Sequence, residues 1–87
     1  MQAIGLPGTR KVRHCERFRT PAGAIALLRR NIVGVTADDN GALNVWKDKF
    51  GKYRCMACRY MVEIDSRTFT SLAATREWVA EWLENIK

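Results

Sequence analysis

The most regular pattern of apolar positions lies near the C-terminal end of the chain. Leu72, Thr75, Trp78, Val79, Trp82, Leu83 and Ile86 recur at steps of three and four, and Arg76, Glu77, Glu81 and Glu84 fill the other side. That stripe predicts an amphipathic helix with both tryptophans turned into a core. Thr70 or Ser71 is placed to cap its start. A second, shorter helix is predicted at "TPAGAIALLRRN". Thr20 suits the N-cap, and Pro21 suits the first helical position, where its missing N–H costs nothing. Ile25, Leu27 and Leu28 supply its apolar side, Arg29 and Arg30 complement the dipole at its end, and Asn31 or Gly34 terminates it.

Between the helices the pattern changes to β-branched and alternating residues. "IVGVT" and "ALNVW" read as strands joined through "DDNG", since Asn40-Gly41 tolerates the positive φ angles of a tight hairpin. "KDKFGK" reads as a second turn with Gly51 at positive φ, and "YRCMACRYMVEI" as a third strand. "IDSR" is expected to turn the chain again, leaving "TF" as a short fourth strand or an extended lead-in. Residues 1–19 show no period, and Gly5, Pro7 and Gly8 interrupt them, so they read as a basic arm held to the body through Val12 and Phe18, with a solvated basic tail or a first strand of alternating charge as the alternatives. The pattern predicts one small α+β domain over residues 1–87. It comprises a short N-terminal helix, an antiparallel sheet of three to four strands, and a long C-terminal helix packed on one sheet face.

Composition adds a direction to that picture. The chain has 87 residues, 47% hydrophobic and 28% charged, with a formal net charge of +6. Those proportions are globular, and no apolar run approaches the roughly 20 residues needed to span a bilayer. The apolar start followed by arginines is the reverse of a signal peptide, so a soluble, cytoplasmic protein without a membrane partner is expected. The charge is uneven: residues 1–31 carry seven Lys or Arg against Glu16 alone, whereas residues 71–87 carry two against three acids. A positive charge gathered in patches points to a polyanionic partner.

Two of the three cysteines form a C-x-x-C, Cys55 and Cys58. In a strand they would lie roughly 10 Å apart, on opposite faces, too far for a disulfide or a shared metal ion. A zinc site would also need His14 and Cys15, and adjacent ligands suit tetrahedral geometry poorly. A redox C-x-x-C would open a helix, whereas these flanks are strand-like. The cysteines are therefore read as packing residues, with no metal and no cofactor. His14 is the only histidine, and Asp38 and Asp39 are explained by turn chemistry, so no acid–base or nucleophile constellation is present and no enzyme is expected.

The cations offer more. Arg10, Lys11, Arg13, Arg17 and Arg19 lie in the arm. Lys47, Lys49, Lys52 and Arg54 surround the Gly51 turn, with Trp46 and Tyr53 interleaved, and Arg59 continues the series. Cationic and aromatic side chains on a sheet face without a helix can contact phosphates and bases. The run from Asn44 to Val79 resembles the three-stranded-sheet-plus-helix modules of tyrosine recombinases and of plant ethylene-response factors. The likeness rests on Trp46, Gly51, Lys52, Tyr53, Arg54, Phe69, Ala73 and Ala74. Arg67-Thr68 stands where those modules carry glycine. The order of helix, strands and helix is also similar to double-stranded RNA-binding domains, without the lysine-rich start of their last helix. In the recombinase and ethylene-response modules the sheet enters the DNA major groove. The resemblance therefore implies contacts from Trp46, Lys47, Lys49, Arg54 and Arg59. The expectation is a small non-catalytic nucleic-acid-binding protein, for DNA more than RNA, of the kind carried by phages and mobile elements. The alternative is a protein-binding inhibitor or adaptor of host defence or transcription machinery, as phage host-takeover and anti-CRISPR-type proteins are.

Overall fold

A computed structural model of the chain describes residues 15–37, 42–60 and 62–85. Its elements are β1 (Cys15–Arg17), α1 (Pro21–Arg29), β2 (Val33–Ala37), β3 (Ala42–Lys47), β4 (Tyr53–Arg59), β5 (Val62–Phe69) and α2 (Leu72–Asn85). The five strands lie in the order β1-β2-β3-β4-β5. β1 runs parallel to β2, and every later pair is antiparallel.

Both helices begin as their caps dictate. The Gly23 amide donates to Thr20 Oγ1 at 3.0 Å, with Pro21 at the first helical position. The Ala74 amide donates to Ser71 Oγ at 3.1 Å. Asn31 takes the left-handed conformation, φ 58°, that closes α1. Helix α1 packs over β2 and β3, α2 packs over β4 and β5, and the two helices touch each other, so both cover the same sheet face. Between them and the sheet lie Leu43, Val45, Cys55, Thr75 and Val79, all at 1% exposure or less. Among the described residues no helix is long and apolar enough to cross a membrane.

The architecture is α+β, and three details correct the sequence reading. First, the sheet is mixed and five-stranded. Residues 15–17, read as part of the arm, form an edge strand. "CER" has no apolar alternation, so its pairing comes from tertiary context: Phe18, 3% exposed, is buried beside it, and its amide donates to the Val35 carbonyl at 3.0 Å. Second, the third strand divides at Tyr60. Arg59 pairs with Val62 across a two-residue connection, and Tyr60 holds φ 53°. Such turns favour Asn-Gly or Asp-Gly, so "YM" carried no signal. "IDSR" consequently lies inside an eight-residue β5. Third, Gly34 does not end α1. It sits in β2, where an added Cβ would come within 3.0 Å of Phe18 Cδ1 and Val45 Cγ2.

That last contact sets a test of the β1 connection. Gly34→Ala should lower stability by about 1–3 kcal/mol through overpacking against Phe18 and Val45, measured by urea unfolding followed by tryptophan fluorescence.

Candidate nucleic-acid interface

The strands alternate faces, and burial shows which is which. Leu43, Val45, Cys55 and Ala57 are buried under the helices. Asn44, Trp46, Arg54, Met56 and Cys58 lie between them on the other face and are half-exposed. Among the described residues no helix covers that face.

Register assembles the site. Trp46 pairs with Arg54 and Arg54 with Thr68, so the three form one row across β3, β4 and β5. The Arg54 guanidinium lies 6.0 Å from the centroid of the Trp46 ring, within the range of a cation–π contact. Arg17 lies on the same face in the next row, joined through Val35, Asn44 and Met56 to Ser66.

The turn between β3 and β4 is built by Asp48. Its Oδ1 accepts the amides of Phe50 and Lys52, each at 2.9 Å. Gly51 supplies the positive φ, 80°, that was expected of it. The amides of Lys52 and Phe50 and the charge of Arg54 hold the Asp48 carboxyl below the usual carboxylate range. Asp48 Oδ2 also stands 3.8 Å from Arg54 Nη1. One aspartate thus shapes the turn and orients the arginine beside Trp46. It leaves Lys49 and Lys52 exposed at the tip, where Lys49 Nζ lies 5.3 Å from the Phe50 ring centroid. Asp48 was not singled out in the sequence, although Asp three residues before a turn glycine is a readable β-turn signal.

The remaining candidates are dispersed. Lys47 follows the parity of Val45 and lies on the helix-covered side. There it lines an open concavity of about 500 Å³ with Asn31, Asp48, Lys49 and Gly51. Arg59 is at the far end of β4, roughly 20 Å along the strand from Tyr53. Arg19 is exposed just beyond β1. Arg10, Lys11, Arg13 and His14 lie outside the described residues.

The C-x-x-C is part of a strand. Cys55 is buried under α2, and Cys58 belongs to the opposite face. Burial, with the charge of Asp65 added, pushes the Cys55 thiol up to about 12. At neutral pH it is a protonated packing group. Among the described residues no three His, Cys, Asp or Glu side chains gather into a possible metal site.

No family model, curated protein or solved structure matches this chain.

Proposed function

We propose that the chain is a small non-catalytic nucleic-acid-binding protein that uses this face on duplex DNA. The observation that carries the reading is the Arg54–Trp46 pair on the helix-free side of the sheet, with Arg17 two strands from Trp46 and Lys49 and Lys52 at the adjoining turn. The turn's one carboxylate, Asp48, is bonded to backbone amides, and its charge is offset by Arg54 at 3.8 Å.

Dimensions favour a particular pose. Strands β3 to β5 span two inter-strand spacings, roughly 10 Å, which fits a major groove about 12 Å wide. All five strands span roughly 19 Å and do not fit. With β3–β5 in the groove, β1 and β2 rest toward its wall, where Arg17 meets phosphate. The turn lysines lie at the strand ends and meet the backbone further along the groove, and Trp46, Arg54 and Thr68 face the base edges. The meander β3–β5 backed by α2 is also the arrangement that the recombinase and ethylene-response likeness implies, which supports the same pose.

Fluorescence anisotropy with a labelled duplex, a single strand and an RNA of matched length tests the reading. If Arg17, Arg19, Lys49 and Lys52 each neutralise one phosphate, affinity for duplex should fall by about 10² between 50 and 200 mM salt. Removing both turn lysines (Lys49→Ala with Lys52→Ala) should lower the log–log salt slope by about 2. Absence of duplex binding tighter than about 10⁻⁴ M at low salt would contradict the proposal.

A further inference from the structure

Strand β5 is one edge of the sheet, and the ladder shows which of its backbone groups face outward. The Asp48 amide donates to the Lys52 carbonyl. Pairs 48/52, 46/54 and 44/56 are therefore those that exchange hydrogen bonds between β3 and β4. Tyr53, Cys55 and Ala57 then turn their backbone groups the other way, toward Phe69, Arg67 and Asp65 of β5. The amides and carbonyls of Ser66 and Thr68 are left pointing off the sheet. In agreement, the Ser66 amide donates to the carboxylate of its neighbour Asp65, at 2.9 Å. Among the described residues no strand lies beyond β5, and its eight residues make it the longest of the described strands. Edges are commonly kept short or covered; this one is neither, and the register shift that bends it lies at its start, where Cys58 pairs with Glu63 and Ala57 with Asp65.

Beside the edge, β5 and α2 enclose a cleft of about 270 Å³. Phe69, Ala74 and Trp78 are its apolar lining, Glu77 and Glu81 its exposed acids, and Arg67 its one cation. Helix α2 runs back along β5. Ala74, in its first turn, shares the cleft with Phe69, and further on Trp78 and Trp82 reach Asp65. A strand added antiparallel to β5 would pass the apolar end first and Glu81 afterwards.

We infer that the β5 edge and this cleft form a docking site for an extended peptide of another protein, carrying an apolar residue followed two positions later by Lys or Arg. Main-chain bonds to the Ser66 carbonyl and to the amide and carbonyl of Thr68 hold the strand, the Ser66 amide being taken by Asp65. The apolar side chain lies on Phe69, Ala74 and Trp78. The cation comes opposite Arg67, whose charge Asp65 offsets at 3.2 Å, and faces Glu77 and Glu81. Charge decides against a second copy of the chain, because self-pairing of β5 would bring Glu77 and Glu81 toward their own duplicates. The cleft is on the helix-covered side, opposite Trp46 and Arg54, so peptide and nucleic acid can be held together. The chain would then act as an adaptor between the two.

The probe is a fluorescein-labelled peptide Thr-Leu-Val-Lys-Thr, titrated with the full chain and followed by anisotropy. Saturable binding is expected, and replacing its lysine with glutamate should weaken it by roughly tenfold. Glu77→Lys with Glu81→Lys should reverse that preference. Thr68→Pro removes an outward amide and spares the ladder to β4, a substitution that sheet edges tolerate. It should abolish binding with the circular dichroism unchanged, and if it unfolds the chain, the charge-reversed pair decides alone. No saturation at about 1 mM, the weakest affinity of interest, overturns the inference. So does equal affinity for the lysine and glutamate peptides, full binding by folded Thr68→Pro, or a free chain that is already a dimer through β5.

Discussion

Replacing Trp46 and Arg54 together with alanine should weaken duplex binding by roughly 10²-fold, with the fold intact. Loss of the Arg54 contact to a base edge accounts for about 1–3 kcal/mol, and loss of the apolar contact of Trp46 with a thymine methyl adds to it. Both side chains are half-exposed on the helix-free face, so their removal opens no cavity in the core. The single variants should not add. Arg54 is held over Trp46 and next to Asp48, so Trp46→Ala also frees the guanidinium it orients, and the second loss should be smaller than the first. Anisotropy titrations of the two singles and the double, with far-ultraviolet circular dichroism as the fold control, measure this. A double variant that binds like the wild type would remove the face from consideration as the site.

The second large effect concerns how α2 is fastened. The indole nitrogens of Trp78 and Trp82 both donate to Asp65 Oδ2, at 3.2 and 3.3 Å. The rings stand 6.0 Å apart and tilted by 51°. One carboxylate on β5 thus holds two turns of the helix. Trp78 is 7% exposed, so Trp78→Ala should cost about 3–5 kcal/mol. That is most of the stability of a domain this small, and the variant should be unfolded or nearly so by differential scanning calorimetry.

The same clamp makes the fold acid-sensitive. The Trp78 indole first, then those of Trp82 and the charge of Arg67, hold the Asp65 carboxyl below its ordinary value of 3.8. A depressed folded-state value stabilises the native state above the unfolded value, and that stabilisation disappears as pH falls through the folded value. Stability should therefore be level from neutral pH to about 5 and decline below about 4. Asp48 is shifted the same way and contributes to the same window. Asp65→Asn should flatten the decline by the Asp65 share, measured by urea midpoints at several acid pH values. An unchanged acid profile in Asp65→Asn would assign the whole decline to other carboxylates.

What could be read from the sequence divides along physical lines. The two helices were legible because their caps and apolar stripes are local: Thr20 with Pro21, Ser71, and the positions from Leu72 to Leu83. The Gly51 turn was legible for the same reason. The strand form of the C-x-x-C followed from its flanks. Elements defined only by distant partners were not legible. β1 is a strand because β2 lies beside it and Phe18 is buried, and three residues with two charges give no periodic signal. The break at Tyr60 depends on the register of β4 against β5, which overrides the residue's own preference for negative φ. Asp65 reads as a turn residue in "IDSR", yet its role comes from indoles 13 and 17 positions away. Among the candidate contacts, the pairing of Trp46 with Arg54 comes only from the strand register, whereas Lys47 and Arg59 share the stretch in sequence but neither the face nor the end of the sheet.

The parallel pairing of β1 has a consequence for the order in which the chain assembles. Strands β2 to β5 are joined in sequence as antiparallel neighbours, so their contacts close over short loops. Short loops close at low entropic cost and early in folding. β1 reaches β2 only across α1 and pairs over three residues, so it joins late and opens first. Its amides should exchange with solvent faster than those of β3 and β4, which are flanked on both sides. Arg17 therefore stands on the least tightly held strand of the sheet, and a phosphate bound there would slow exchange across β1, while β3 and β4 change little.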